Sequence, residues 1–226
     1  MGRRNYSSDE IKQTVSEGIA SEYVWRYAPD DRLADINLRV FIEHERAFVG
    51  LRLGTRPLHE RAYKVAEQPG ALKPPVAAAM LRLAGIEPGD RLIDPCCGSG
   101  TILIEAALAG AKGCGGDIDA AAVVAARENT RAAGVGANIC LWNARSLALR
   151  SQSAASVVTN LPWGRQITMD GELYRDVCRE IERVAIHRVV TLTSAPELLR
   201  FERLKQIEAV EISLYGQTPT ISVLQV

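Results

Sequence analysis

The stretch from Arg91 to Thr101, Arg-Leu-Ile-Asp-Pro-Cys-Cys-Gly-Ser-Gly-Thr, constrains this chain more than any other. Leu92 and Ile93 favour a strand, Asp94 ends it, and Gly98 and Gly100 permit positive φ and close backbone approach. Thr101 to Ala109 then reads as a helix whose N-terminal amides point back at the turn. In an open α/β sheet a strand that turns into a helix in this way marks the position of a nucleotide-like ligand.

Three kinds of ligand loop share this outline. A phosphate loop requires Gly-Lys-Ser/Thr after the second glycine, and here Gly100 is followed by Thr101 and Ile102. A dinucleotide fingerprint requires a small residue three places after the second glycine, where Leu103 stands. The remaining candidate is the Asp-x-x-x-Gly-x-Gly loop of S-adenosylmethionine enzymes, in which a carboxylate and backbone groups meet a ligand that has no pyrophosphate.

From Arg91 onward strand-like and helix-like segments alternate, which predicts an α/β fold with a mostly parallel sheet. Strands are expected at Lys112–Asp117, Asn138–Trp142, Ala155–Asn160 and Arg188–Thr193, and helices at Asp119–Ala133, Glu172–Val184 and Pro196–Gln206. Glu208–Leu214 and Thr220–Val226 have no helix between them and predict an antiparallel hairpin at one sheet edge. A dinucleotide fold would continue with another crossover helix, so this ending favours a Rossmann-like class I methyltransferase sheet.

The N-terminal stretch follows another plan. Ser7-Ser-Asp-Glu10 is a capping box that opens a helix with Ile11, Val15, Ile19 and Tyr23 on one face. Ile36, Leu38, Val40 and Ile42, then Ala47, Val49, Leu51 and Leu53, alternate with other residues and predict a β-hairpin. This α+β appendage, residues 1–56, has one apolar face and too little core to fold alone, so it must pack on the main domain, a second copy or a partner chain. Residues 57–75 are expected as a connector rich in Pro and basic side chains, and Val76–Ala84 as a short helix opening a catalytic domain over 76–226.

Lys plus Arg and Asp plus Glu each total 27, so bulk charge neither requires nor forbids a nucleic-acid partner. No apolar run reaches membrane-spanning length and the N-terminus lacks a secretory core, which predicts a cytoplasmic chain with no membrane partner. Cys96, Cys97, Cys114, Cys140 and Cys178 show no Cys-x-x-Cys spacing, so no metal is expected and the thiols are read as reduced and mostly buried.

A second constellation, Asn160-Leu-Pro-Trp163-Gly164, ends the fourth strand of the main domain, whose C-terminal end is expected beside that of the first. An exocyclic amine is a poor nucleophile because its lone pair is delocalised into the ring. The Asn160 side-chain oxygen and the Leu161 carbonyl can each accept one N–H, which draws the nitrogen toward tetrahedral geometry, while Pro162 shapes the turn and Trp163 stacks on the ring. The same set serves guanine, adenine or a glutamine amide, and does not choose among them.

Asp94 to Glu105, Gly116-Asp-Ile-Asp119 and Asn160 to Gly164 resemble the class I S-adenosylmethionine-dependent RNA methyltransferases that carry a THUMP domain, and their tRNA (guanine-N2)-methyltransferase branch most of all. Arg61-Ala-Tyr63 and Ala71-Leu-Lys-Pro74 resemble the segment leading into that catalytic domain. The resemblance implies that Asp94, Gly98 and Gly100 contact the methionine end of the cofactor and Asp117 its ribose. It also implies that Cys96, Ser99, Thr101, Ile118, Ala144 and Asn160 surround the cofactor. Asn143 stands where the family commonly has an Asp near the adenine, and the N-cap role is expected for Asp119. The N-terminal helix and hairpin resemble the C-terminal half of a THUMP domain, without its first half. Through it the resemblance implies tRNA or another structured RNA as partner, with Arg46, Arg52, Arg56, Arg61 and Lys64, near His59, as a basic face. A non-catalytic RNA-binding subunit remains an alternative expectation.

Overall fold

A computed structural model of the protein describes residues 6–54, 57–68, 70–162 and 171–226. The chain divides into two units, Met1–Pro57 and Leu58–Val226.

In the first unit, α1 (Ser8–Glu22) starts at the expected capping box: Ser7 Oγ accepts from Glu10 N–H and the Glu10 carboxylate accepts from Ser7 N–H. The hairpin pairs β1 (Leu38–Glu43) with β2 (Arg46–Leu51) in antiparallel register, with Val40 opposite Val49. On β1 the apolar residues Leu38, Val40 and Ile42 are half-buried, but every residue of β2 is exposed and α1 has no buried residue.

The second unit carries a seven-stranded sheet in the order β5-β4-β3-β6-β7-β9-β8. Its elements are α2 (Pro74–Leu83), β3 (Arg91–Asp94), α3 (Thr101–Leu108), β4 (Lys112–Asp117), α4 (Ala120–Ala132), β5 (Ala137–Leu141), β6 (Ala154–Asn160), α5 (Gly171–Val184), β7 (Ala185–Thr193), β8 (Lys205–Glu211) and β9 (Thr220–Gln225). Strands β3 to β7 run parallel, and β9 inserts antiparallel between β7 and β8, as the terminal hairpin predicts. Val157 packs into the cluster under α5, whereas Val158 packs into the one shared by α2, α3 and α4. A parallel strand covered on both faces accounts for the unbroken apolar run that preceded Asn160 in the sequence.

Two expectations fail here. The helix expected over Pro196–Gln206 is a single 3₁₀ turn, Pro196–Leu198. Buried Glu182 on α5 explains the failure, because its carboxylate accepts the backbone amides of Glu202, Arg203 and Leu204, and amides bound there cannot continue a helix. The thiols are also less buried than expected: Cys97 and Cys178 are buried, Cys96 and Cys114 half-buried, and Cys140 exposed.

Residues 58–75 also behave differently from a connector, since they belong to the second unit. Tyr63 and Leu72 are buried in it. The Tyr63 hydroxyl donates to the Glu105 carboxylate of α3 at 2.7 Å, and Arg61 Nε bonds the same group at 3.0 Å.

Candidate active site

The sheet order brings β3 and β6 side by side, with Ile93 opposite Val157, so Asp94 and Asn160 end adjacent strands. After Asp94 the chain turns sharply. Gly98 (φ 51°) and Gly100 (φ 83°) occupy the left-handed region that favours glycine, and Gly100 N–H closes the turn on the Cys97 carbonyl at 2.8 Å. Gly100 then caps α3, whose Thr101 is buried.

Asp94 is 1% exposed. Its Oδ1 accepts from the Thr159 hydroxyl at 2.7 Å and from Cys96 N–H at 3.2 Å, while Oδ2 is buried with no partner among the described residues. Burial pushes the carboxyl up to about 7, against the two hydrogen bonds, and Asp117 adds to the rise. Burial likewise raises the Cys96 and Cys97 thiols, so neither is an activated nucleophile. Ser99 Oγ is a second buried polar atom without a partner among the described residues.

Asp117, at the end of β4, accepts Gly98 N–H on Oδ2 at 2.9 Å and Asp119 N–H on Oδ1 at 3.0 Å. The carboxylate expected at a ribose therefore also braces the turn. Asp119 caps α4 as expected, accepting from Ala121 N–H. Ile118 is 71% exposed beside it. Trp142, expected within a strand, leaves β5 instead. Its backbone N–H donates to the Asp117 carbonyl at 3.1 Å and its indole N–H to the Pro95 carbonyl at 2.9 Å. Asn143 is exposed, and its side-chain oxygen accepts Arg145 N–H at 2.9 Å. Ala144 packs against the core, while Arg145 bonds Asp176 of α5 at 2.6 Å and holds that carboxyl below its ordinary range.

At the end of β6, Leu161 is buried and its N–H donates to the Leu192 carbonyl of β7 at 3.0 Å. The Pro162 carbonyl accepts from the Tyr174 hydroxyl at 2.8 Å, and that hydroxyl also bonds Thr193 Oγ1 at 2.6 Å. Trp163 and Gly164 lie outside the described residues, as does Arg56.

A cleft joins the two strand ends. It is lined by Asp94, Cys96, Cys97, Gly98, Ser99, Thr101, Ile102 and Asn160, and on another side by Gln68, Gly70, Ala71 and Leu72. The pairing of an unsatisfied buried carboxylate oxygen with an unsatisfied hydroxyl in such a cleft fits a ligand bearing both cationic and hydrogen-bonding groups.

The expected basic face is divided. Arg61 and Lys64 are turned to internal partners: Arg61 to Glu105 and the Leu58 carbonyl, half-buried Lys64 to the Leu72 carbonyl at 3.3 Å. Burial lowers the Lys64 ammonium from its ordinary value. Arg46 and Arg52 belong to the first unit, where Arg46 is exposed and Arg52 stands 4.0 Å from Asp31. Sequence reasoning missed Thr159, Trp142, Tyr174 and the wall of Gln68, Gly70, Ala71 and Leu72. A lone Thr in the Val-Val-Thr run, and buried-type Tyr63 and Leu72 within a polar stretch, were the available signals.

A family model described as an RMKL-like methyltransferase domain matches residues 61–214. The chain is 33% identical over 208 residues to the tRNA (guanine(6)-N2)-methyltransferase of Thermus thermophilus, covering 88% of this chain and 61% of that protein. It is 35% identical over 141 residues to the tRNA (guanine(10)-N2)-dimethyltransferase of Methanothermobacter thermautotrophicus, covering 60% of this chain and 42% of that protein. Among solved structures, TrmN from Thermus thermophilus matches with a TM-score of 0.77 at 31% identity, over 99% of this chain and 69% of that one. This chain thus spans less than two thirds of the length of either curated relative.

Proposed function

The chain belongs to the RMKL-like methyltransferase-domain family, and from that membership we propose that it transfers a methyl group from S-adenosylmethionine to the exocyclic N2 amine of a guanosine in tRNA. The observation that carries this reading is the shared cleft, in which Asp94, Gly98 and Ser99 face the same space as Asn160. The two relatives named as tRNA guanine-N2 methyltransferases support the choice of guanine and of tRNA.

Asp94, Gly98, Ser99 and Asp117 would hold the cofactor, Asp94 through the carboxylate oxygen that the fold leaves unpaired. When bound, S-adenosylmethionine supplies a methyl group on a cationic sulfur, open to in-line attack. Asn160 and the Leu161 carbonyl accept the two N–H bonds of the incoming amine and localise its lone pair toward the cleft. The Leu161-to-Leu192 hydrogen bond and the Tyr174 hydroxyl on the Pro162 carbonyl fix the backbone that presents these acceptors. Trp163 takes the stacking role that its place in the motif suggests.

The N-terminal unit serves RNA docking in this reading, which its resemblance to half of a THUMP domain supports, with Arg46 and Arg52 facing phosphates. The full exposure of β2, including Val49 and Leu51, favours a further protein surface over it, from a second copy or a partner chain. A tRNA substrate implies a cytoplasmic site of action, and among the described residues no helix is long and apolar enough to cross a membrane.

Incubation of the chain with total RNA and methyl-labelled S-adenosylmethionine, followed by nucleoside analysis, tests the reading. Labelled N2-methylguanosine in the tRNA fraction is the expected product. Label confined to DNA, to protein or to another nucleoside would overturn the assignment of the acceptor.

A further inference from the structure

One wall of the cleft is formed by Gln68, Gly70, Ala71 and Leu72, a strap that lies outside the named strands and helices. A single buried side chain links the residues just before it to the glycine-rich turn. Asn129 on α4 is 0% exposed, and it spends all of its hydrogen-bonding capacity in one place. Its oxygen accepts from Val65 N–H at 3.0 Å and Ala66 N–H at 2.8 Å, while its amide nitrogen donates to the Ala66 carbonyl at 2.9 Å and the Ser99 carbonyl at 3.1 Å. Three of these bonds hold Val65 and Ala66, just before the strap, and the fourth holds the glycine-rich turn. The strap is pinned again at a lining residue, where the Tyr215 hydroxyl donates to the Ala71 carbonyl at 2.9 Å.

We infer that Asn129 is a positioning residue of the cofactor cleft: it ties the strap to the Ser99 turn, so that the two walls stand at a fixed separation before any ligand arrives. The inference rests on the methyl-donor reading of the cleft. Asn129 does not line the cleft and lies on a different element from Asn160, so its effect falls on affinity and leaves turnover at saturation intact. A preassembled wall lowers the ordering cost of binding, and losing it returns that cost. A carboxamide is required because an aspartate keeps the two acceptors but not the two donors, and alanine keeps neither.

The test uses the full chain, with S-adenosylhomocysteine as the calorimetric probe and hydrogen exchange of the Val65 and Ala66 amides measured without ligand. Asn129→Ala is expected to speed exchange at both amides and weaken probe binding about tenfold, with kcat at saturating S-adenosylmethionine within about threefold of wild type. Asn129→Asp should restore protection of the two amides while affinity stays low. Unchanged affinity in Asn129→Ala, or a fall in kcat at unchanged affinity, would overturn the inference. If the alanine variant does not fold, Tyr215→Phe decides, since Tyr215 is 56% exposed and the change removes only its hydroxyl. About threefold weaker probe binding supports the tie, and equal binding overturns it. A wild-type chain that fails to bind the probe refutes the methyl-donor reading instead, and amide exchange still reports on the tie.

Discussion

At the end of β3 the turn closes on itself through Gly100 N–H on the Cys97 carbonyl and is braced by Asp117 of β4 and the Trp142 indole after β5, whereas the turn after β6 is held by Leu192 of β7 and Tyr174 of α5. The first region keeps Asp94 Oδ2 and Ser99 Oγ buried at the cleft with no partner among the described residues. The second offers acceptors on a backbone whose position depends on its neighbours. A self-closed turn can be complete before its ligand binds, and damage to it should appear as lost affinity. On the proposed function a turn held by neighbours would set the direction of attack, and damage there should appear as lost turnover.

The largest expected effect separates these two roles. Asn160→Ala removes one of the two acceptors and should lower kcat by about 100-fold or more, since misplacing a reacting group costs that much. Affinity for S-adenosylhomocysteine, measured by calorimetry, should change by less than about threefold. A variant that loses affinity and keeps turnover would reverse the division between the two strand ends.

The same division explains what the sequence made legible. The bend of the self-closed turn is written locally, because the glycines, the strand before them and the helix after them are contiguous, while its braces at Asp117 and Trp142 come from far along the chain. The parallel sheet and the terminal hairpin were equally readable from the alternation of segments. Contacts made from a distance were not. Nothing near Asn160 announces that Tyr174 will bond the Pro162 carbonyl, and nothing in Pro196–Gln206 shows that Glu182 will capture its amides. Residues 57–75 were read as a connector because of their proline and basic residues, although Asn129 and Glu105, far along the chain, anchor Val65, Ala66 and Tyr63 within them.

A second test uses pH. Burial raises the Asp94 carboxyl to about 7, so between its unfolded value of about 4 and that point the native state holds more proton than the unfolded chain. The contribution to stability is therefore complete below about pH 4 and is lost as pH rises toward 7, with a total on the order of a few kcal/mol. Asp94→Asn should remove this term, and the difference in unfolding free energy between variant and wild type, from urea titrations without ligand, should move in favour of the variant over that window. A flat difference would show that Asp94 Oδ2 is solvated. In the wild type a cationic ligand group favours the ionised carboxylate, so S-adenosylmethionine should bind more tightly as pH rises through the same range.

The smallest effect sharpens the comparison inside the self-closed turn itself. Gly98 and Gly100 both have positive φ, yet their surroundings differ. A Cβ at Gly100 would meet the Ala126 Cβ at 3.1 Å and its Cα at 3.3 Å, in the buried contact between α3 and α4, whereas a Cβ at Gly98 would meet nothing within 4 Å. Gly100→Ala thus carries both left-handed strain and a clash, and should destabilise the fold by about 2–3 kcal/mol. Gly98→Ala carries the strain alone, about 1 kcal/mol. Gly98 lines the cleft, so its added methyl enters space that a ligand would use. Thermal unfolding without ligand should rank Gly100→Ala as the less stable variant, while S-adenosylhomocysteine binding should rank Gly98→Ala as the weaker binder. If both measurements give the same order, the turn is a structural corner and its open side is not a binding surface.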